Sequence, residues 1–176
     1  FIYAHLNEII QLVLHEFAEV SGKKIELLES YKTEDAEHLL IVEGAAFETC
    51  KKAVDKLRQQ KEKVGCLRVV MLQPFPGADL VKLLSGKKAV TVLDQTYLSA
   101  SAEGPLFREV AAALNKALDN SSAMQINPDY PILGKNQKPL VYRGLCGLGG
   151  KVITVSEAVS VFENSLSLNS TNKGLF

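Results

Sequence analysis

The chain has 176 residues, 47% of them apolar and 23% charged, enough to build one compact domain with a real core. Its 20 basic and 20 acidic side chains cancel, which excludes the electrostatic footprint of nucleic-acid binding, and the balance of polar and apolar residues excludes disorder. No apolar run approaches the roughly 18 to 20 residues that cross a bilayer, and the amino end shows no signal-peptide pattern.

The first residue is Phe1 rather than Met, so a segment excised or processed from a longer polypeptide is expected. Leu6, Ile9, Ile10, Val13, Leu14, Phe17 and Val20 recur at helical spacing and predict a helix over His5–Ser21, stopped by Gly22. Lys24–Leu28 predicts a short strand. The apolar run Leu39–Val42 is too short for a helix and fits a buried strand. A helix over Ala46–Glu62 follows, burying Phe47, Cys50, Ala53, Val54 and Leu57 and turning Lys51, Lys52, Asp55, Arg58, Gln59 and Lys63 to solvent.

Val64–Leu72 predicts a second buried strand, broken by Gln73-Pro-Phe-Pro-Gly77, and Ala78–Leu84 a short helix. Ala89–Leu93 is the third buried strand, ending at Asp94-Gln-Thr96. The loop Tyr97–Glu103 is small and polar, and Gly104-Pro105 opens a helix lined by Leu106, Val110, Ala113, Leu114 and Ala117. After an irregular crossing over Asn120–Lys138, Leu140–Tyr142 predicts the last strand. Thr154-Val-Ser-Glu157 fits a capping box at the head of a closing helix over Val155–Leu166.

Strands and helices in this alternation predict a three-layer α/β/α domain around a mostly parallel sheet. Its boundaries are a leading helix or linker over 1–22, the domain over 23–166 and a tail over 167–176. The loops at Glu43-Gly44, Gln73–Phe75, Asp94–Thr96 and Gly144–Lys151 would share the carboxyl edge of the sheet, where such folds bind ligands.

The densest chemical signal is the glycine cluster Gly144-Leu-Cys-Gly-Leu-Gly-Gly-Lys151. It misses both standard phosphate signatures. Leu145 stands where a Walker A loop needs glycine, Val152 where it needs Ser or Thr, and a G-x-G-x-x-G reading from Gly147 fails at Val152. Two readings stay open: an anion loop of Gly144, Gly147, Gly149, Gly150 and Lys151, or a tight turn against a neighbouring domain.

Cys50, Cys66 and Cys146 are far apart without a C-x-x-C pair, so no iron–sulfur cluster, zinc site or disulfide framework is expected. That usage predicts a reducing compartment, the cytoplasm or an organelle matrix. Cys146 among glycines is a candidate thiol. His5, His15 and His38 lack metal-ligand spacing. Asp35, Glu37, Glu43 and Asp94 form no evident acid–base pair, and Ser99 and Ser101 lack a nucleophile elbow. Asn120-Ser-Ser and Asn169-Ser-Thr match glycosylation sequons. The segment shows no self-contained catalytic site.

Asp35-Ala-Glu37 before Leu39–Val42, Lys63-Val-Gly65 with Leu67 and Val69, Pro74-Phe75, Val92-Leu-Asp94 with Thr96, and Gly147-Leu-Gly-Gly-Lys151 with Thr154 resemble, in order, the second domain of pyruvate:ferredoxin (flavodoxin) oxidoreductases. The resemblance covers about residues 5–166. It implies the fold of the transketolase carboxy-terminal domain and a parent that oxidatively decarboxylates pyruvate to acetyl-CoA with thiamine diphosphate and iron–sulfur clusters held in other domains. This segment would then be non-catalytic, packing against other domains of the polypeptide or complex, in a parent expected to be a homodimer without nucleic-acid or membrane partners. Gln95 replaces the family's arginine after Leu-Asp, Tyr97-Leu-Ser-Ala100 replaces its Lys-Glu-Pro-Gly, and Leu145 stands where a further arginine is expected. Gln95-Thr96 and the Ser/Ala-rich loop after it are reminiscent of degenerate copies in fungal sulfite reductases, where the domain would be a scaffold or subunit interface. A free-standing anion or nucleotide module is the third reading.

Overall fold

A computed structural model describes residues 5–96, 103–122 and 126–171. The elements run α1 (Leu6–Ser21), β1 (Leu28–Tyr31), β2 (His38–Glu43), α2 (Ala46–Gln59), β3 (Val64–Val69), α3 (Gly77–Leu84), β4 (Ala89–Asp94), α4 (Pro105–Ser122), β5 (Leu140–Leu145) and α5 (Val155–Thr171). The five strands form one sheet in the order β1-β3-β2-β4-β5. Every neighbouring pair is parallel except β1 with β3, which is antiparallel. The expected α/β architecture with a mostly parallel sheet is therefore what forms.

Strand β2 lies at the centre, and residues 38–42 are all buried because helices cover both faces. The pleat divides its side chains. Leu39 and Ile41 pack with Leu80, Leu84, Val110 and Leu114 of α3 and α4, while Leu40 and Val42 pack with Phe47, Leu57 and Phe162 of α2 and α5. A one-residue slip would exchange these two sets, so the register is fixed by both helical layers.

Of the boundaries that differ from the sequence reading, four bear on the architecture. The first strand is Leu28–Tyr31 rather than Lys24–Leu28, because Leu28 is the buried residue that reaches the α3 layer. Strand β3 ends at Val69, before the apolar Val70-Met-Leu72. Strand β5 takes in Gly144 and Leu145, since pairing with β4 continues to Asp94 opposite Leu145. Helix α5 runs on to Thr171 instead of ending at Leu166, so the tail expected from 167 begins as helix. The loop of Tyr97–Glu103, with Ser99 and Ser101, lies outside the described residues except for Glu103.

The amino end of the sheet is held by the residues of the Asp35-Ala-Glu37 motif. Asp35 takes two hydrogen bonds from the Arg58 guanidinium, at 2.6 and 2.8 Å. Arg58 also donates to the carbonyls of Val64 and Lys32, tying the end of α2 to the entries of β2 and β3. Glu37 bridges Lys63, before β3, and Lys88, before β4. These two ammonium groups hold its carboxyl at about 2, against an ordinary 4.5. Ala36 is buried between them. Gly65 completes the joint: a Cβ there would stand 2.4 Å from the Lys32 carbonyl oxygen. The cationic face of α2, expected to be merely solvated, thus supplies Arg58 as a structural hub.

Candidate functional site

Helix α2 leads from β2 to β3 on one face of the sheet, and α4 leads from β4 to β5 on the other. The connections diverge between β2 and β4, so a crevice opens beyond Glu43 and Asp94, where doubly wound sheets place ligands. A cleft of about 150 Å³ lies there, walled by Ala45 and Ala46, Gln95, Cys146, Gly147 and Lys151. Three of the four loops predicted to share this edge thereby meet in one place.

The glycine cluster divides among separate tasks. Gly144 belongs to β5 and makes room for Leu93, whose Cδ2 lies 2.4 Å from where its Cβ would stand. Gly147 has φ +70°, and a Cβ on it would come 2.7 Å from the Lys151 carbonyl, so the chain can curl only around glycine there. The Gly150 N–H donates back to the Gly147 carbonyl, and the Cys146 N–H donates to the Asp94 carbonyl. Gly147, Gly150 and Lys151 line the cleft, whereas Gly149 is exposed and is not part of its wall.

Lys151 Nζ lies 2.7 Å from Glu157 Oε1. Glu157 also accepts from the Thr154 N–H at 2.8 Å, and its own N–H donates to Thr154 Oγ1, which is the expected capping box. Lys151, then the Thr154 main chain and hydroxyl, hold the Glu157 carboxyl at about 2. The lysine charge is already directed at the cap of α5. An incoming anion would have to compete with Glu157 for it.

Asp94 has a role that sequence reasoning missed. It is buried, and its carboxylate accepts the N–H groups of Leu106 at 2.8 Å and Phe107 at 3.1 Å. It therefore caps α4 from the end of β4, with the favourable end of the helix dipole facing it. A Cβ on Gly104 would fall 1.9 Å from Asp94 Cγ, so glycine precedes the helix because the distant carboxylate occupies its place. The available signal was a Gly-Pro helix start that carries no capping side chain of its own. Burial nonetheless raises the Asp94 carboxyl above its ordinary value, outweighing the two N–H groups.

Glu43 was also read as unpaired. It ends β2, and its carboxyl is raised first by burial and then by the charge of Asp94. Cys146 is half-buried, and burial, followed by Glu157 and Asp94, pushes its thiol up, away from thiolate character. Burial pushes Cys50 up to about 12. Among the described residues no group of three His, Cys, Asp or Glu side chains could hold a metal ion. His38 is buried at the head of β2, and Asn120 is buried, donating to the carbonyls of Asn127 and Tyr130. A sequon asparagine locked in that way has no room for a glycan in the folded domain.

The open crevice, the mostly parallel sheet and the two helical layers define an α/β domain of the doubly wound class. The model of the pyruvate:ferredoxin oxidoreductase core domain II family matches residues 36–130. The chain belongs to that family. It is 34% identical to a pyruvate synthase subunit PorA of Thermotoga maritima over 94% of its own length and 37% of that protein's. It is 30% identical to a pyruvate-flavodoxin oxidoreductase of a Nostoc species, over 89% of this chain and 13% of that protein. A 2-oxoglutarate:ferredoxin oxidoreductase from Magnetococcus marinus, solved with 2-oxoglutarate, coenzyme A and succinyl-CoA bound, shares the fold at a TM-score of 0.53 and 18% identity, over 85% of this chain and 21% of that one. The chain thus spans about a third or less of these longer proteins. No helix among the described residues is long and apolar enough to cross a membrane.

Proposed function

We propose that the chain is a structural, interdomain part of a pyruvate (2-oxoacid):ferredoxin or flavodoxin oxidoreductase. The parent would convert pyruvate and coenzyme A to acetyl-CoA and carbon dioxide, passing two electrons to its acceptor. The observation that carries this reading is the use to which the family's motif residues are put. Asp35 and Glu37 are spent on Arg58, Lys63 and Lys88 at the amino end of the sheet, and Asp94 on the start of α4. Each of these groups works within the architecture. Thiamine diphosphate and iron–sulfur clusters belong, on this reading, to the parent's other parts.

The cleft beside Gly147 and Lys151 serves as a seat for a neighbouring domain or subunit. Its wall favours this over an anion site: Val152 there is exposed, and Lys151 is engaged by Glu157. The test has two arms. The 176-residue chain, given pyruvate, coenzyme A, thiamine diphosphate and a viologen acceptor, should show no turnover, and calorimetry with coenzyme A, nucleotides or phosphate should show no heat. The complete enzyme should oxidise pyruvate and keep its kcat when Lys151→Ala is introduced. Turnover by the chain alone, or loss of kcat in a folded Lys151→Ala enzyme, overturns the reading.

A further inference from the structure

The outer edge of β1 is open among the described residues, since β1 stands last in the sheet beside β3. Its hydrogen-bonding parity can be read from the register. The Val70 N–H donates to the Leu27 carbonyl, and the antiparallel pairing continues as Leu28 opposite Val69, Glu29 opposite Arg68 and Ser30 opposite Leu67. Main-chain bonding alternates in an antiparallel ladder, so Leu27 and Glu29 bond inward to β3. The N–H and C=O groups of Leu28 and Ser30 point the other way, to the side with no strand.

Two hollows flank this edge, one on each face of the sheet. On the α3 face, a groove of about 500 Å³ lies beside Leu28 and Ser30, lined by the apolar Ile25, Pro76 and Leu83 and by the ion pairs Lys24–Glu26 and Lys82–Asp79. On the α2 face, a hollow of about 250 Å³ is bounded by Glu29, Tyr31, Phe47 and Lys51. There Lys51 lies over both rings, 5.8 Å from the Tyr31 centroid and 5.3 Å from that of Phe47. An added strand sends successive side chains to opposite faces, and these hollows are placed for that period of two.

We propose that β1 is a strand-addition site for an extended segment of another polypeptide. The segment's main chain pairs with the outward groups of Leu28 and Ser30, giving affinity, while its side chains select. One residue is aliphatic and enters the groove beside Leu83. The next is long and uncharged, such as glutamine, and enters the hollow beside Phe47, where the neighbouring charges are already paired as Lys24–Glu26, Lys51–Glu48 and Arg68–Glu29. A second copy of this chain fits less well. Antiparallel pairing of β1 with itself through Leu28 and Ser30 would set Glu29 opposite its own copy, a like-charge pair.

The test uses the whole 176-residue chain and the peptide acetyl-Thr-Val-Gln-Val-Thr-amide, with hydrogen exchange read by NMR at each amide. Saturating peptide should slow exchange of the Leu28 and Ser30 amides by about tenfold or more, leaving Glu29 and Tyr31 little changed because they are already bonded to β3. Ser30→Pro removes an outward N–H without touching the inner ladder, which edge strands tolerate, and should abolish the peptide effect while keeping the spectrum of the core. Unchanged protection at Leu28 and Ser30 in the unsubstituted chain overturns the proposal. So does peptide binding that survives Ser30→Pro in a folded variant. Protection that rises with protein concentration alone assigns the edge to a second copy and overturns it as well.

Discussion

The two ends of the sheet are closed to different degrees. At the amino end charges are cross-linked in short range, loops are tight and glycine is required by the approach of a carbonyl at Gly65. At the carboxyl end glycine is also forced, at Gly104 and Gly147, but a cleft remains, Val152 stands exposed in its wall, and Gly149 and Gly150 have nothing within 4 Å of where a Cβ would be. The first end is finished within this chain. The second presents a surface. On the proposed reading, the difference means that the family motif Asp35-Ala-Glu37 marks where the fold is closed rather than where chemistry happens.

Substitutions should separate the ends by size of effect. Arg58→Ala should be the most damaging, by about 2–4 kcal/mol in denaturant unfolding, because the part-buried Val64 carbonyl loses its donor, the Lys32 carbonyl and Asp35 lose their bonds, and the packing of a mostly buried side chain goes with them. Gly65→Ala should follow at about 1–3 kcal/mol, since the added methyl has to displace main chain rather than a mobile side chain. Asp94→Ala, at the opposite end, should cost about 0.5–2 kcal/mol through the lost cap of α4, and hydrogen exchange should quicken first at Leu106 and Phe107.

Acid titration gives a contrast of sign. Glu37, held at about 2 in the fold against an ordinary 4.5, contributes stability that is complete above the ordinary value and lost as pH falls through the folded one. Glu37→Gln should flatten unfolding free energy across that window. Glu43 is raised, so the folded protein loses stability as pH rises through the ordinary carboxyl range. Glu43→Gln should therefore help more at pH 7 than at pH 3. The smallest effect belongs to the glycine loop: Lys151→Ala should leave Tm within about 2 °C, as removal of an exposed ion pair does.

Much of this fold was legible in the amino-acid sequence because its signals are local. The buried strands at Leu39–Val42 and Ala89–Leu93 announce themselves as apolar runs, and Thr154 and Glu157 lie three residues apart, as a capping box requires. Strand β1 was misplaced because Lys24–Leu28 and Leu28–Tyr31 are both short and mixed, and pairing with β3 decides between them. The site was legible as a set of loops on one edge. The cap from Asp94 to Leu106 joins residues twelve apart across a loop, and the charge coupling of Glu43 to Asp94 joins two strands. No periodicity records such contacts. The glycine cluster was visible as a cluster, but only three dimensions divide it into a packing residue at Gly144, a forced turn at Gly147 and a lysine committed to Glu157.

The most direct test pairs unfolding with pyruvate-oxidising turnover for Asp35→Ala in the full-length parent proposed above. If the motif is architecture, the unfolding midpoint of the domain falls while turnover per folded molecule stays within about twofold of the unsubstituted enzyme. An unchanged midpoint with turnover reduced by about a hundredfold or more would contradict the account and make Asp35 part of the reaction.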